Sequence, residues 1–162
     1  MDKRFNCIRC GKCCTNLLSK DEEILRGLTL LPKETSNFPK TSVMPAIGIG
    51  SSPDEDDFRI IVYQIINDTC LNLSGKSCRI YDDRPTSCRQ YPFSLSLDKT
   101  SRNILIGYDL NCPSLKKNLI TNSEEENYQE IIYARKFLKV RLKMKLTKEK
   151  IWFFDLHDLQ WK

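Results

Sequence analysis

The apolar and polar positions of this chain fall into two different rhythms. Residues 58–66 (FRIIVYQII) form a short, β-branched apolar run that predicts a mostly buried strand. Residues 93–97 (FSLSL) and 103–108 (NILIGY) flank the polar stretch DKTSR and predict a hairpin. Helical spacing is found elsewhere. Residues 19–31 (SKDEEILRGLTLL) read as a helix: Ser19 and Glu22 make a capping-box pair, acids Asp21 to Glu23 suit a helix start, and Pro32 stops it. Near the C-terminus Tyr128, Ile131, Ile132, Leu138 and Leu142 recur at helical intervals behind a second capping pair, Ser123 with Glu126. Acids Glu124 to Glu126 at the start of this stretch and Arg135, Lys136, Lys139, Arg141, Lys143 and Lys145 towards its end complement the helix dipole. The tail IWFFDLHDLQW is expected to dock its aromatic side chains on the core or on a partner subunit. Between the first helix and the strand, residues 32–57 carry four prolines and two glycines and end in Asp54-Glu55-Asp56-Asp57. They predict a long loop closed by a solvated acidic turn, since the alternation of a calcium loop is missing.

These elements predict an α+β fold: a small single domain with a short antiparallel sheet or hairpin, irregular metal-binding loops and a long C-terminal helix. Residues 1–120 would form the cysteine-cluster part, and 121–162 a helical extension packed on the same domain. The length of 162 residues agrees with one domain. No apolar run approaches the roughly 20 residues that span a bilayer. The N-terminus MDKRFNCIRC lacks the apolar stretch of a secretory signal, so a cytoplasmic location is expected. The formal charge of +5 is mildly basic and permits an acidic protein or nucleic-acid partner without arguing for one.

The chemistry lies in eight cysteines. In a reducing compartment structural disulfides are rare, and clustered thiols read as metal ligands or redox centres. The first group is Cys7-x-x-Cys10-x-x-Cys13-Cys14, whose two-residue spacings turn successive thiolates towards one centre, with Gly11 letting the backbone wrap it. Its first three members match the opening of a bacterial ferredoxin run, but the fourth ligand of that run is missing. The second group, Cys70, Cys78 and Cys88, is more widely spaced and must be gathered by the tertiary fold, as must Cys112. Gly75 permits a turn between Cys70 and Cys78. Arg84 and Arg89 flank Cys88, where guanidinium groups would offset the charge of about −2 left by four thiolates on Zn²⁺ or a [4Fe–4S]²⁺ core.

His157 is the one histidine and sits in the aromatic tail, so the site is expected to be all-thiolate. That suits four-cysteine zinc and iron–sulfur clusters alike. The C-x₂-C-x₂-C run with dispersed partners favours an iron–sulfur cluster, [4Fe–4S], with zinc as the alternative. Eight thiols could complete two four-thiolate sites or one with spare thiols. Adjacent Cys13 and Cys14 would share one ion only under strain.

The first motif, followed by Cys70-x₇-Cys78-Arg79-Ile80-Tyr81 and Arg84-Pro85-x-x-Cys88-Arg89-x-Tyr91-Pro92, resembles the CxxCxxCC, or YkgJ-like, cysteine-cluster family over roughly residues 5–113. Tyr91 stands where that family usually has phenylalanine. The resemblance implies zinc or iron chelation. It also implies kinship with flagellin lysine N-methylase, associated with an iron–sulfur cluster and methyl transfer from adenosylmethionine. Three functions follow as expectations: a metal-binding protein with a redox, sensing or metal-handling role; an iron–sulfur-dependent protein lysine methyltransferase; or a zinc-stabilised module presenting the basic helix to nucleic acid. The absence of a glycine-rich loop after a strand counts against the second.

Overall fold

The computed structural model describes residues 4–117 and 128–162. In chain order its elements are β1 (Ser19–Asp21), β2 (Ile24–Arg26), β3 (Leu28–Leu30), β4 (Val43–Ile49), β5 (Arg59–Ile65), β6 (Leu73–Ser74), β7 (Ser77–Cys78), α1 (Thr86–Gln90), β8 (Phe93–Leu97), β9 (Ile104–Tyr108), α2 (Pro113–Lys117), α3 (Gln129–Leu146), β10 (Ile151–Asp155) and β11 (Gln160–Trp161). Mixed strands and helices, short antiparallel sheets and a long C-terminal helix make this an α+β fold. The strand at β5, the β8–β9 hairpin and α3 lie where hydrophobic spacing puts them. The capping pair Ser123 and Glu126 lies outside the described residues.

Two expectations are corrected. Residues 19–31 are three strands, not a helix. Glu22 and Glu23 take left-handed backbone angles, φ 46° and 70°, and form the turn of a β1–β2 hairpin in which Ser19 faces Arg26. Leu28 and Leu30 then pair with Ile65 and Tyr63 of β5, and Leu30 is 0 % exposed. Tertiary burial of this apolar run in a sheet outweighs its local helix preference. Residues 32–57 are likewise not one loop, because β4 runs through them and pairs with β5. Pro45 is tolerated there because the β4–β5 register shifts between Pro45 and Ile47, a bulge that relieves the missing donor. The acidic run remains a turn, with Asp57 accepting hydrogen bonds from the Ser51 N–H (2.8 Å) and Oγ (2.6 Å).

The main sheet has five antiparallel strands in the order β11-β10-β4-β5-β3. The aromatic tail thus reaches the core as two strands rather than as a helix end, with Trp161 packed edge-on against Phe58 and Phe154. Gln64, 1 % exposed, crosses this sheet: its Nε2 donates to the carbonyls of Pro45 and Phe154, and its Oε1 accepts from Gly27 N–H. Asp155, also 1 % exposed, accepts from the backbone N–H of Leu25 and His157 and pairs with Lys162.

Two apolar clusters form the interior. One joins Phe5, the β8–β9 hairpin and α3 through Phe93, Leu95, Tyr128, Ile131, Ala134 and Leu138. The other joins Leu30, Phe38 and Ile65 with Cys14 and Cys70. Cys112 is buried in the first cluster and Cys7 packs against it. Thiols from both clusters therefore meet where the two abut.

Candidate metal centre

Each thiol reaches the site by a short, pinned piece of backbone. Phe5 is buried and anchors the N-terminal run, its N–H donating to Glu130 on α3 (3.1 Å). Ile8 N–H is held by Ser114 Oγ (3.1 Å) at the start of α2. Gly11 then takes φ 76°, open to glycine without steric cost, and starts the 3₁₀ turn Lys12–Cys14. Cys70 N–H bonds the Cys14 carbonyl (2.8 Å), which ties the first cysteine group to the second. Gly75, φ 59°, turns β6 into β7 and places Cys78 opposite Leu73. Cys88 rides on α1, whose first residue Thr86 is held by Glu34 through both its N–H (2.7 Å) and its hydroxyl (2.6 Å). Cys112 follows the hairpin, its N–H bonded to the Asp109 carbonyl (3.0 Å).

The result is one cavity lined by all eight cysteines: Cys7, Cys10, Cys13, Cys14, Cys70, Cys78, Cys88 and Cys112. None is in a disulfide. Among the described residues, no carboxylate and no imidazole line this cavity; His157 lies elsewhere, 79 % exposed and bonded to Asp158. The remaining lining is apolar, cationic or hydroxyl-bearing and includes Leu28, Phe38, Ile80, Arg9, Lys76, Arg84, Tyr81, Tyr91 and Ser114. Among the described residues, no three Cys, His, Asp or Glu side chains are already drawn together tightly enough to hold a metal ion. The donors thus surround a cavity rather than forming a closed chelate. A soft, thiolate-only donor set fits zinc and iron–sulfur centres and excludes hard-ion sites of the calcium or magnesium type.

Within the cavity the thiols are not equivalent. The Sγ atoms of Cys13 and Cys14 lie 4.0 Å apart. Hydrogen bonding with its thiol neighbours Cys13 and Cys70, together with burial, pushes the Cys14 thiol well above its ordinary range. The same contacts with Cys14 move Cys13 and Cys70 the other way, below the ordinary thiol range. Burial raises Cys78, and raises Cys88 to about 12. The Arg84 charge favours the thiolate at Cys13, Cys78 and Cys88.

The two expected arginines divide their work. Arg84 lines the cavity, its guanidinium 3.8 Å from the centre of the Tyr81 ring and its Nε bonded to the Tyr81 carbonyl. Arg89 does not line it. Its guanidinium instead donates to the carbonyls of Arg84 and Asp82 and to the Tyr133 hydroxyl, stapling the 82–85 turn that carries Arg84 to α3. Sequence reasoning missed four contributors. Tyr81, Arg9 and Lys76 line the cavity, and Glu34 holds the helix of Cys88. Tyr81 stood inside the quoted motif, but Glu34, 52 residues from its partner Thr86, left no sequence signal.

The family model CxxCxxCC, "Putative zinc- or iron-chelating domain", matches residues 6–117, the stretch that carries all eight thiols. The chain belongs to the CxxCxxCC family. Neither the curated proteins nor the solved structures contain a match to it. Zinc or iron chelation is therefore the property that membership of the CxxCxxCC family supports for this protein. No helix among the described residues is long and apolar enough to cross a membrane.

Proposed function

We propose that the protein holds an iron–sulfur cluster in this cavity, through thiolates drawn from Cys7, Cys10, Cys13, Cys14, Cys70, Cys78, Cys88 and Cys112, and serves a redox, sensing or metal-handling role. One observation carries the reading: among the described residues, eight thiols and no carboxylate or imidazole line one cavity. One zinc ion and one [4Fe–4S] cluster would each take four thiolates; the C-x₂-C-x₂-C run with partners dispersed along the chain favours the cluster. Arg84 offsets the negative charge of thiolates bound there, and Arg89 holds the turn that positions Arg84.

A second reading, zinc, has its own support. Two thiolates on a tetrahedral zinc with Zn–S of about 2.3 Å stand about 3.8 Å apart, close to the 4.0 Å between Cys13 and Cys14. Adjacent cysteines can then share one ion with little movement, in contrast to the strain expected from their sequence position. Anaerobic purification with elemental analysis separates the two. Brown protein with broad visible absorbance and matched iron and sulfide supports the cluster, and colourless protein with stoichiometric zinc supports the alternative. Cys10→Ser and Cys88→Ser are expected to lose metal and to melt earlier. Structural zinc in small domains is worth on the order of 10–16 kcal/mol, against a typical net stability of about 5–15 kcal/mol. If both variants keep full metal and unchanged melting, the cavity is not the metal site.

A further inference from the structure

Residues 131–148, most of α3 and the turn after it, hold seven Lys and Arg and no acid. The remainder of the chain then has 19 Lys and Arg against 21 Asp and Glu. The formal charge of +5 is thus a strongly basic helix on an otherwise slightly acidic molecule. All seven cations are exposed. Among the described residues no carboxylate pairs with them; Arg141 donates to the Leu95 carbonyl, and Lys136 lies over the Tyr133 ring (4.9 Å).

The helix itself explains only part of this. Its macrodipole favours cations in the last turn, where Lys143 and Lys145 stand. Arg135, Lys136 and Lys139 lie in the middle of α3, well before its end at Leu146. Positions four apart are neighbours on a helix. Arg135 with Lys139, Lys139 with Lys143, and Arg141 with Lys145 therefore set like charges side by side, which works against the helix. A face of self-repelling cations with no acid of its own is matched to a negative surface outside the molecule.

The 3.6-residue repeat puts Lys136, Lys139 and Lys143 in one row, with Arg135 beside it, Ile132 at its start and Leu146 at its end. The row runs about 21 Å at a rise of about 1.5 Å per residue. Both aliphatics are exposed, Ile132 by 45 % and Leu146 by 83 %. On either side of the row the helix is held against the body. Ile131, Ala134 and Leu138 are buried on one side. On the other, the Tyr133 hydroxyl accepts from Arg89 of α1, and Val140 and Met144 share a groove with Ile49 of β4 and Ile61 of β5. Only the ridge between them faces out.

We propose that this ridge seats the protein on an anionic bilayer, its cations on the lipid headgroups and Ile132 and Leu146 dipping between them. Two features favour lipid over nucleic acid or an acidic protein. A helix enters a duplex groove by projecting from the body, whereas α3 is packed against α1 and β8. A phosphate backbone also offers nothing to exposed aliphatics at both ends of the row, while the acyl boundary of a membrane does. A bilayer meets a straight convex ridge along its whole length without a shaped partner. The seating holds whichever metal fills the cavity.

The test is co-sedimentation of the full chain with phosphatidylcholine vesicles, with and without phosphatidylserine, at about 0.1 M salt. Wild type is expected on the phosphatidylserine vesicles, less so as salt rises, and not on phosphatidylcholine alone. A cation near an anionic leaflet is worth about 1 kcal/mol, so Lys139→Gln/Lys143→Gln should weaken binding roughly 30-fold. Lys20→Gln/Lys40→Gln removes the same charge from exposed positions outside α3, and should change binding less than about twofold. Leu146→Ser should weaken it several-fold with charge unchanged. A single-stranded RNA of about 20 nucleotides and a Glu-rich peptide, each added at the vesicles' concentration of negative charge, should leave most of the protein on the vesicles. No binding to phosphatidylserine vesicles, equal loss in the two lysine pairs, an unaffected Leu146→Ser, or release to RNA or peptide would each overturn the proposal. So would earlier melting of Lys139→Gln/Lys143→Gln, which would make those lysines part of the fold.

Discussion

Gln64 offers the sharpest test of how the sheet is held. Replacing it with leucine preserves size roughly and adds apolar surface in a position 1 % exposed. By hydrophobic area alone the change should gain about 1–2 kcal/mol. The hydrogen bonds argue the reverse. Gly27 N–H loses its acceptor at 2.8 Å, and the carbonyls of Pro45 and Phe154 lose donors at 2.7 and 3.2 Å. A buried group left unsatisfied costs about 1–3 kcal/mol, so three orphans cost about 3–9 kcal/mol and outweigh the apolar gain, by about 2–3 kcal/mol when each orphan costs somewhat over 1 kcal/mol. The domain size converts this to a melting decrease of roughly 5–10 °C. The assay is urea and thermal unfolding of wild type and Gln64→Leu at matched metal content. Metal stoichiometry is expected to hold, because strand alternation turns Gln64 away from the face on which its neighbour Ile65 packs against Cys14 and Cys70. A leucine variant as stable as wild type would refute the account of Gln64 as a polar tie between β4, β10 and the β2–β3 turn.

Other outcomes follow from the same geometry. Gly27→Ala would place its Cβ 1.7 Å from the Ile65 carbonyl oxygen; backbone must move, and unfolding is expected to show a loss of about 3 kcal/mol or more. Asp155, held at about 2 chiefly by Lys162, contributes stability that is present above its ordinary value of 3.8 and is lost as pH falls towards 2. Asp155→Asn should therefore be less stable than wild type at neutral pH, with the gap between their melting curves closing over that acid window; a gap independent of pH would refute the assignment. Arg89→Lys keeps the charge but loses the three-way staple to Arg84, Asp82 and Tyr133. Chelator-driven metal loss should be several-fold faster, and about as fast in Arg89→Ala; a lysine variant that matches wild type would show that charge, not positioning, matters.

Some of this molecule was legible in its residues. The β5 strand, the β8–β9 hairpin and α3 rest on apolar spacing that local geometry turns directly into structure. The cysteine motifs likewise announced chelation, because thiols at two-residue spacing have few other uses. Tertiary contacts decided the rest. Residues 19–31 carry helix signals, yet burying Leu30 beside Ile65 makes strands of them, with Glu22 and Glu23 at the turn. No periodicity could have shown that the tail would return as β10 and β11 to edge a sheet begun more than a hundred residues earlier, since strand pairing is set by partners remote in the chain. The same holds for the site. Its donors were visible as residue types, but their meeting on one cavity, and the division of labour between Arg84 at the wall and Arg89 behind it, arise only when two apolar clusters pack together and bring separate loops face to face.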